Sequence, residues 1–174
     1  LLIAKTPLKC VYNFLIFFII KGLLFMIERK KLLIKKVDPN ATIPEYATAG
    51  AAALDLRYCG DKNITLAVGE IKSIPTGIAV AVPEGTVAVV CARSGLAFKR
   101  GITLTNGIGI IDPDYRGEIF VGLKNHGSAL FTVHPGDRIA QMLLIPIYAV
   151  DLIETDDIGE TERGDRGFGS TGLK

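Results

Sequence analysis

The stretch Ile78-Ala-Val-Ala-Val-Pro-Glu-Gly-Thr-Val-Ala-Val-Val-Cys-Ala92 sets the character of the chain. It holds two short runs rich in Val, Ile78–Val82 and Val87–Ala92, parted by the breaker Pro83-Glu-Gly85. β-Branched side chains crowd a helix but suit a pleated strand, and Pro with Gly between two such runs marks a turn. The pattern continues outward in both directions. Upstream lie Leu32–Val37, Leu54–Arg57, Ile64–Leu66 and Ile71–Ile74; downstream lie Ile102–Leu104, Ile119–Lys124, Leu130–Val133 and Arg138–Ile147. Further breakers are Asp112-Pro113, Asn125-His-Gly127 and His134-Pro-Gly136. No long helical periodicity interrupts them, and Ser94–Phe98 has room for one helical turn at most. Many short strands with close turns predict an all-β fold, a sandwich, barrel or jelly roll.

Composition narrows the function classes. The 174 residues are 49% apolar, enough for one domain with a real core. Lys and Arg total 20 against 18 Asp and Glu, a net charge of only +2. A general nucleic-acid binder needs a large basic excess, so no nucleic-acid partner is expected, while a local basic patch for a small anion stays open. The three cysteines, Cys10, Cys59 and Cys91, stand far apart and form neither a disulfide framework nor a zinc spacing. A reducing cytoplasm is the simplest setting. The two histidines, His126 and His134, offer little for a His-rich metal site.

The ends differ from the middle. Residues 1–25 hold the apolar run Phe14–Ile20, which Lys21-Gly22 ends. A spanning helix needs roughly 20 apolar residues, so no membrane partner is expected. No small-residue cleavage site follows, which disfavours a signal peptide. Met26 is the expected natural start, with 1–25 an extension outside the domain, 26–155 a β-rich domain, and 156–174 a Gly-rich C-terminal segment. That last segment cannot bury enough surface to fold alone; it is a loose tail or it orders on a ligand or a neighbouring subunit.

Five segments carry polar groups that chemistry could use. In Ala53-Leu-Asp-Leu-Arg57, Asp55 sits between leucines and needs a partner; a structural salt bridge suffices to explain it. In Ala92-Arg-Ser-Gly-Leu-Ala-Phe-Lys99, Arg93, Ser94 and Gly95 put a cation, a hydroxyl and a free amide in one turn, suited to phosphate oxygens; an ordinary turn with Ser94 as N-cap is an even rival. In Asn106-Gly-Ile-Gly-Ile-Ile-Asp-Pro-Asp-Tyr-Arg-Gly-Glu118, the glycines admit a flat ligand, Asn106 can donate and accept at a base edge, and Asp112, before Pro113, is biased toward extended geometry; a plain hairpin is the rival. In Gly136-Asp-Arg-Ile-Ala-Gln-Met-Leu-Leu144, Gln141 is a polar exception in an apolar run, as a buried structural amide also would be. Glu162-Arg-Gly-Asp-Arg-Gly-Phe-Gly-Ser-Thr-Gly172 looks like a phosphate loop but lacks the Lys and the helix that a P-loop needs.

In this order and spacing, from about Leu32 to Gly172, the five segments resemble the motifs of the homotrimeric dUTP pyrophosphatases. The resemblance implies a distorted jelly-roll, β-clip-like subunit, a homotrimer with shared active sites, and Mg²⁺-assisted hydrolysis of dUTP to dUMP and pyrophosphate. That reaction keeps uracil out of DNA and supplies dUMP for dTMP synthesis. It implies that Asn106 and the backbone through Gly109 and Ile111 read the uracil, that Tyr115 packs under the sugar and excludes a 2′-hydroxyl, and that Asp112 holds the 3′-hydroxyl and orients the attacking water. Arg93, Ser94, Gly95 and Gln141 match phosphate contacts. Asp55 matches an acid that orients the turn's Arg and the metal's water shell. In the tail, Arg163 would reach the phosphates, Phe168 would lie over the uracil with Gly169 beside it, and Ser170 and Thr171 would take the terminal phosphate. Arg166 departs from many relatives, which carry Gly there.

Two other readings compete. A dCTP deaminase shares the fold and the Arg-Ser-Gly turn but carries a catalytic Glu in the strand after the hairpin, where this chain has Gly122. A non-catalytic β-rich regulatory or binding module would use the tail for a protein partner.

Overall fold

A computed structural model describes residues 29–167. The extension 1–25, the expected start at Met26, and the tail residues Phe168, Gly169, Ser170 and Thr171 lie outside the described residues. Eleven strands and one short helix, α1 (Ser94–Arg100), run in the described chain. The strands are β1 (Leu33–Lys36), β2 (Glu45–Tyr46), β3 (Leu54–Arg57), β4 (Ile64–Leu66), β5 (Ile71–Ala81), β6 (Thr86–Cys91), β7 (Ile102–Leu104), β8 (Ile108–Ile111), β9 (Glu118–Asn125), β10 (Phe131–Val133) and β11 (Arg138–Pro146). They form a four-stranded sheet β1-β5-β9-β7, a five-stranded sheet β2-β3-β11-β6-β8, and the pair β10-β4. Every pairing is antiparallel. The all-β, jelly-roll-like expectation holds.

Alternation explains the layers. Along β9, Ile119, Val121, Leu123 and Asn125 are buried while Phe120 faces out, the two-residue period of a strand with one face inward. Leu56, Ala88, Val90, Ala140 and Met142 of the five-stranded sheet meet Ile74, Val80, Ile119, Val121 and Leu123 of the four-stranded sheet in one core. Asn125 ends β9 fully buried yet satisfied. Its amide donates to Leu66 O and Ala129 O and its oxygen accepts from Gly127 N at 2.9 Å, so one side chain closes the turn after β9.

Four sequence expectations need correction. Ile71–Ile74 and Ile78–Val82 are one strand, β5, broken in register between Pro75 and Ala79. Pro75 has no N–H to give the ladder, and Gly77 takes φ 67°, so the strand bulges instead of ending. The two-residue β2 carries too little pattern to be read from sequence. The helix after β6 is seven residues, longer than one turn, and Gly101 at φ 70° stops it. Its N-cap is Arg93 without a side-chain cap, so Ser94 is the first helical residue and not the cap.

Gly77 is a hub. Its carbonyl accepts from Val37 N and Asp38 N, and its N–H donates to Glu118 Oε1 at 2.8 Å. A Cβ there would stand 2.7 Å from Ala41 Cβ and 3.0 Å from Cys59 Sγ. Gly77→Ala should lower unfolding free energy by roughly 2–4 kcal/mol, read as a reduced urea midpoint. Burial, then the nearby Asp38 and Glu118 charges, push the Cys59 thiol above its usual range. Below that range both folded and unfolded chains hold the proton and Cys59 contributes fully. As pH rises past roughly 8.5 the unfolded chain releases its proton first, so stability falls. Cys59→Ala should flatten the first part of that decline in urea midpoints measured from pH 7 to 10.

Candidate active site

Asp55 lies in the middle of β3 and is 8% exposed. A carboxylate that deep needs charge partners, and two cations supply them. Arg93 Nε donates to Oδ1 and Arg138 Nη1 donates to Oδ2, each at 3.0 Å. Arg93 Nη1 also donates to the Arg138 carbonyl. The carboxylate therefore fixes the guanidinium that leads into α1. The amides of Ser94 and Gly95 take no acceptor within the described protein, because the first turn of a helix has none to offer. Gln141, mid-way along β11, donates its amide to Ala92 O at 3.3 Å.

These groups border one cavity of about 310 Å³, lined by Asp55, Arg93, Ser94, Gly95, Arg138 and Gln141 with Ala47 and Ala51 to Ala53. One carboxylate faces two guanidiniums, so the net charge of the lining is positive. Small alanines leave the space, and cations, amides and a hydroxyl border it: an oxyanion of phosphate size suits both.

The second half of the predicted site lies on β8 and the loop after it. Asn106 occupies the tight β7–β8 turn, where Ile108 N donates to Asn106 O. Among the described residues its side chain takes no partner. Gly109 lies against Val90, and a Cβ there would come 3.2 Å from Val90 Cβ, so a side chain would press on the neighbouring strand. Ile111 ends β8 and Asp112 follows, exposed, its side chain without a partner among the described residues. The Tyr115 hydroxyl donates to Glu118 O at 2.9 Å, and the loop is closed further by Tyr115 N to Asp112 O.

The register separates the two halves. Gln141 pairs with Cys91, and Cys91 with Ile108; Ala88 pairs with both Leu144 and Ile111. Asp112 thus lies two strands across and four residues along from Gln141, roughly 10 Å and 14 Å. The fold brings Asp55, Arg93, Ser94, Gly95 and Gln141 together but holds Asp112 and Tyr115 away from them. Arg163 lies in the exposed tail and meets neither half; its Nε donates to Arg166 O, and Arg166 Nε donates to Arg163 O. Arg138 had no role assigned from sequence. Strand parity would place it opposite Gln141, but the register shift between Arg138 and Ala140 turns both into the cavity.

A family model described as dUTPase matches residues 39–172. The chain belongs to the dUTPase family. The deoxyuridine 5'-triphosphate nucleotidohydrolase of Desulfitobacterium hafniense is 48% identical over 144 residues, 82% of this chain and 95% of that protein. The enzyme of that name from Neorickettsia sennetsu is 46% identical, over 86% of this chain and 100% of its own. A dUTPase of Staphylococcus bacteriophage 80alpha, solved with dUPNHPP, matches with a TM-score of 0.77 at 26% identity, over 83% of this chain and 100% of that one. The resemblance read from the five segments is borne out.

The donor set of this dUTPase-family site bears on magnesium. Among the described residues no three His, Cys, Asp or Glu side chains group to hold a metal. The cavity's one carboxylate already takes a guanidinium on each oxygen, leaving a lone pair apiece for water. Such a set fits a hydrated Mg²⁺ held chiefly by phosphates, the usual habit of that ion. Among the described residues no helix is long and apolar enough to cross a membrane.

Asp55→Ala leaves two neighbouring guanidiniums unpaired and should cost roughly 1–3 kcal/mol of stability by urea titration. Combining it with Arg93→Ala should be clearly less than additive, since both changes remove one interaction.

Proposed function

We propose that this protein hydrolyses dUTP to dUMP and pyrophosphate with Mg²⁺, as a cytoplasmic homotrimer that limits uracil in DNA and supplies dUMP for dTMP synthesis. The observation that carries the reading is the hairpin: Asn106 and Asp112 present an amide and a carboxylate, both without a partner among the described residues, at the two ends of one strand edge. The amide suits the uracil edge, with backbone of Gly109 and Ile111 beside it. Asp112 suits the sugar's 3′-hydroxyl and the attacking water. Tyr115 suits the sugar face.

Phosphoryl transfer is mostly positioning and charge neutralisation. Arg93, Arg138, the Ser94 and Gly95 amides and Gln141 hold phosphate oxygens. Asp112 takes a proton from water as its oxygen attacks the α-phosphorus, and pyrophosphate leaves. Mg²⁺, when bound, offsets triphosphate charge, with Asp55 touching its shell only through water.

The distance between the two half-sites supports sharing between subunits: the hairpin of one chain would face the phosphate cavity of another. The surface supports it too. Ile108 and Ile110 are about half exposed, at 53% and 52%, on the outer face of the five-stranded sheet. Beyond β11 the chain exposes Tyr148, Val150, Leu152, Ile153 and Ile158. An apolar strip of this kind marks an interface. On this reading residues 26–155 are the catalytic domain and 156–174 a lid that brings Arg163, Phe168, Gly169, Ser170 and Thr171 over bound nucleotide.

Position 122 weighs against the deaminase alternative. It carries no carboxylate, and a Cβ there would stand 2.8 Å from Thr105 Cγ2, so the turn before β8 fills the space a Glu would need.

The test is pyrophosphate release from dUTP, dTTP, UTP and dCTP with Mg²⁺, together with ammonia release from dCTP. Selective dUTP hydrolysis is expected; ammonia from dCTP would overturn the reading. Asp112→Asn should lower kcat by roughly 10²–10⁴-fold with nucleotide affinity largely kept. Near-normal turnover would remove Asp112 from the base role.

A further inference from the structure

We propose that Glu118 is a positioning residue for sugar selectivity: by holding the bulge of β5 it fixes the carbonyl that anchors Tyr115. The inference rests on the reading of Tyr115 as the residue packed under the sugar.

The Tyr115 ring has a defined seat. A Cβ at position 117 would fall 2.4 Å from the Tyr115 hydroxyl oxygen and 2.6 Å from Cζ, so the ring lies directly over Gly117. Past that glycine the hydroxyl donates to Glu118 O at 2.9 Å. Ring and acceptor are only three residues apart, and the loop is otherwise exposed. The direction in which Tyr115 points therefore follows the peptide at Glu118.

That peptide is held from the other side. The Glu118 carboxylate accepts the Gly77 N–H at 2.8 Å. The Thr76 hydroxyl donates to Ile119 O from a buried position. Both donors come from the bulge, where the register jumps from Pro75 opposite Phe120 to Ala79 opposite Glu118. The ladder is interrupted across the bulge, so these two side-chain bonds add to the single pairing of Ala79 with Glu118 in holding the start of β9. Gly77 itself is immobilised by Asp38, Ala41 and Cys59 packed on its Cα. The support thus runs from the packed bulge, through the Glu118 carboxylate, to the Glu118 carbonyl, to the Tyr115 hydroxyl. A sugar hydroxyl is excluded only if the ring beneath it cannot yield, which gives this chain of contacts its use.

The experiment is the ratio of kcat/KM for dUTP to that for UTP, measured with Mg²⁺ on the full chain and on Tyr115→Ala, Tyr115→Phe, Glu118→Ala and Glu118→Gln. Tyr115→Ala should lose most of the discrimination. Tyr115→Phe keeps the ring but loses its anchor, and Glu118→Ala releases the carbonyl; each should lower the ratio roughly fivefold, the worth of one ordinary hydrogen bond. Glu118→Gln keeps an acceptor for Gly77 N–H and should keep the wild-type ratio. A wild-type ratio in Tyr115→Phe or in folded Glu118→Ala overturns the proposal, as does a loss in Glu118→Gln equal to that in Glu118→Ala. Should Glu118→Ala not fold, Tyr115→Phe decides, since it alters only an exposed loop. The two readings fail differently. If Tyr115→Ala keeps the wild-type ratio, the sugar assignment falls and this inference with it. If only the anchor variants keep it, the sugar assignment stands and the anchor alone is lost.

Discussion

The carboxylate of Asp55 cannot be left alone where the fold puts it. It is nearly buried in β3, and a lone charge there would cost more than the strand's packing returns. Arg93 and Arg138 meet it, one on each oxygen. Those two arginines come from the end of β6 and the start of β11. One ionic contact thus ties three strands of the five-stranded sheet at one edge of the cavity. It also aims the chain into α1, where the Ser94 and Gly95 amides open on that cavity. The cavity with its cationic lining is in this sense a by-product of satisfying a buried charge.

The hairpin half is built differently. It has no buried charge and few side-chain bonds. Its shape is set by backbone: the Gly107 turn at φ 72°, flat packing of Gly109 on Val90, and the Tyr115 tether. Asn106 and Asp112 are exposed, and their side chains take no partner among the described residues. The two halves stand apart within one chain, separated by strand order and register.

Much of this was legible in the sequence. Short Val and Ile runs between Pro and Gly turns imply strands because β-branched residues suit a pleat, and all of the eleven strands but β2 and β8 fall where the runs are. The site was legible as an order of segments: each of Asp55, Arg93, Asn106, Asp112 and Gln141 is weak alone, but their spacing matches a family pattern. A two-residue strand such as β2 leaves no periodic trace, and the single β5 was hidden because Pro75 and Gly77 read as a break.

Sequence by itself determined the fold class, the family and the identity of the polar groups, because those depend on residue type and spacing along the chain. Tertiary structure alone decided which of them meet. Arg138 reaches Asp55 only because a bulge reverses the parity of β11, and a bulge depends on what the partner strand does. Glu118 supports Tyr115 only through a bulge in β5, distant in sequence. The separation of Asp112 from Gln141 follows from strand order, which the alternation of runs does not encode. Local pattern fixes which face a side chain takes; register, bulges and sheet order fix its neighbours.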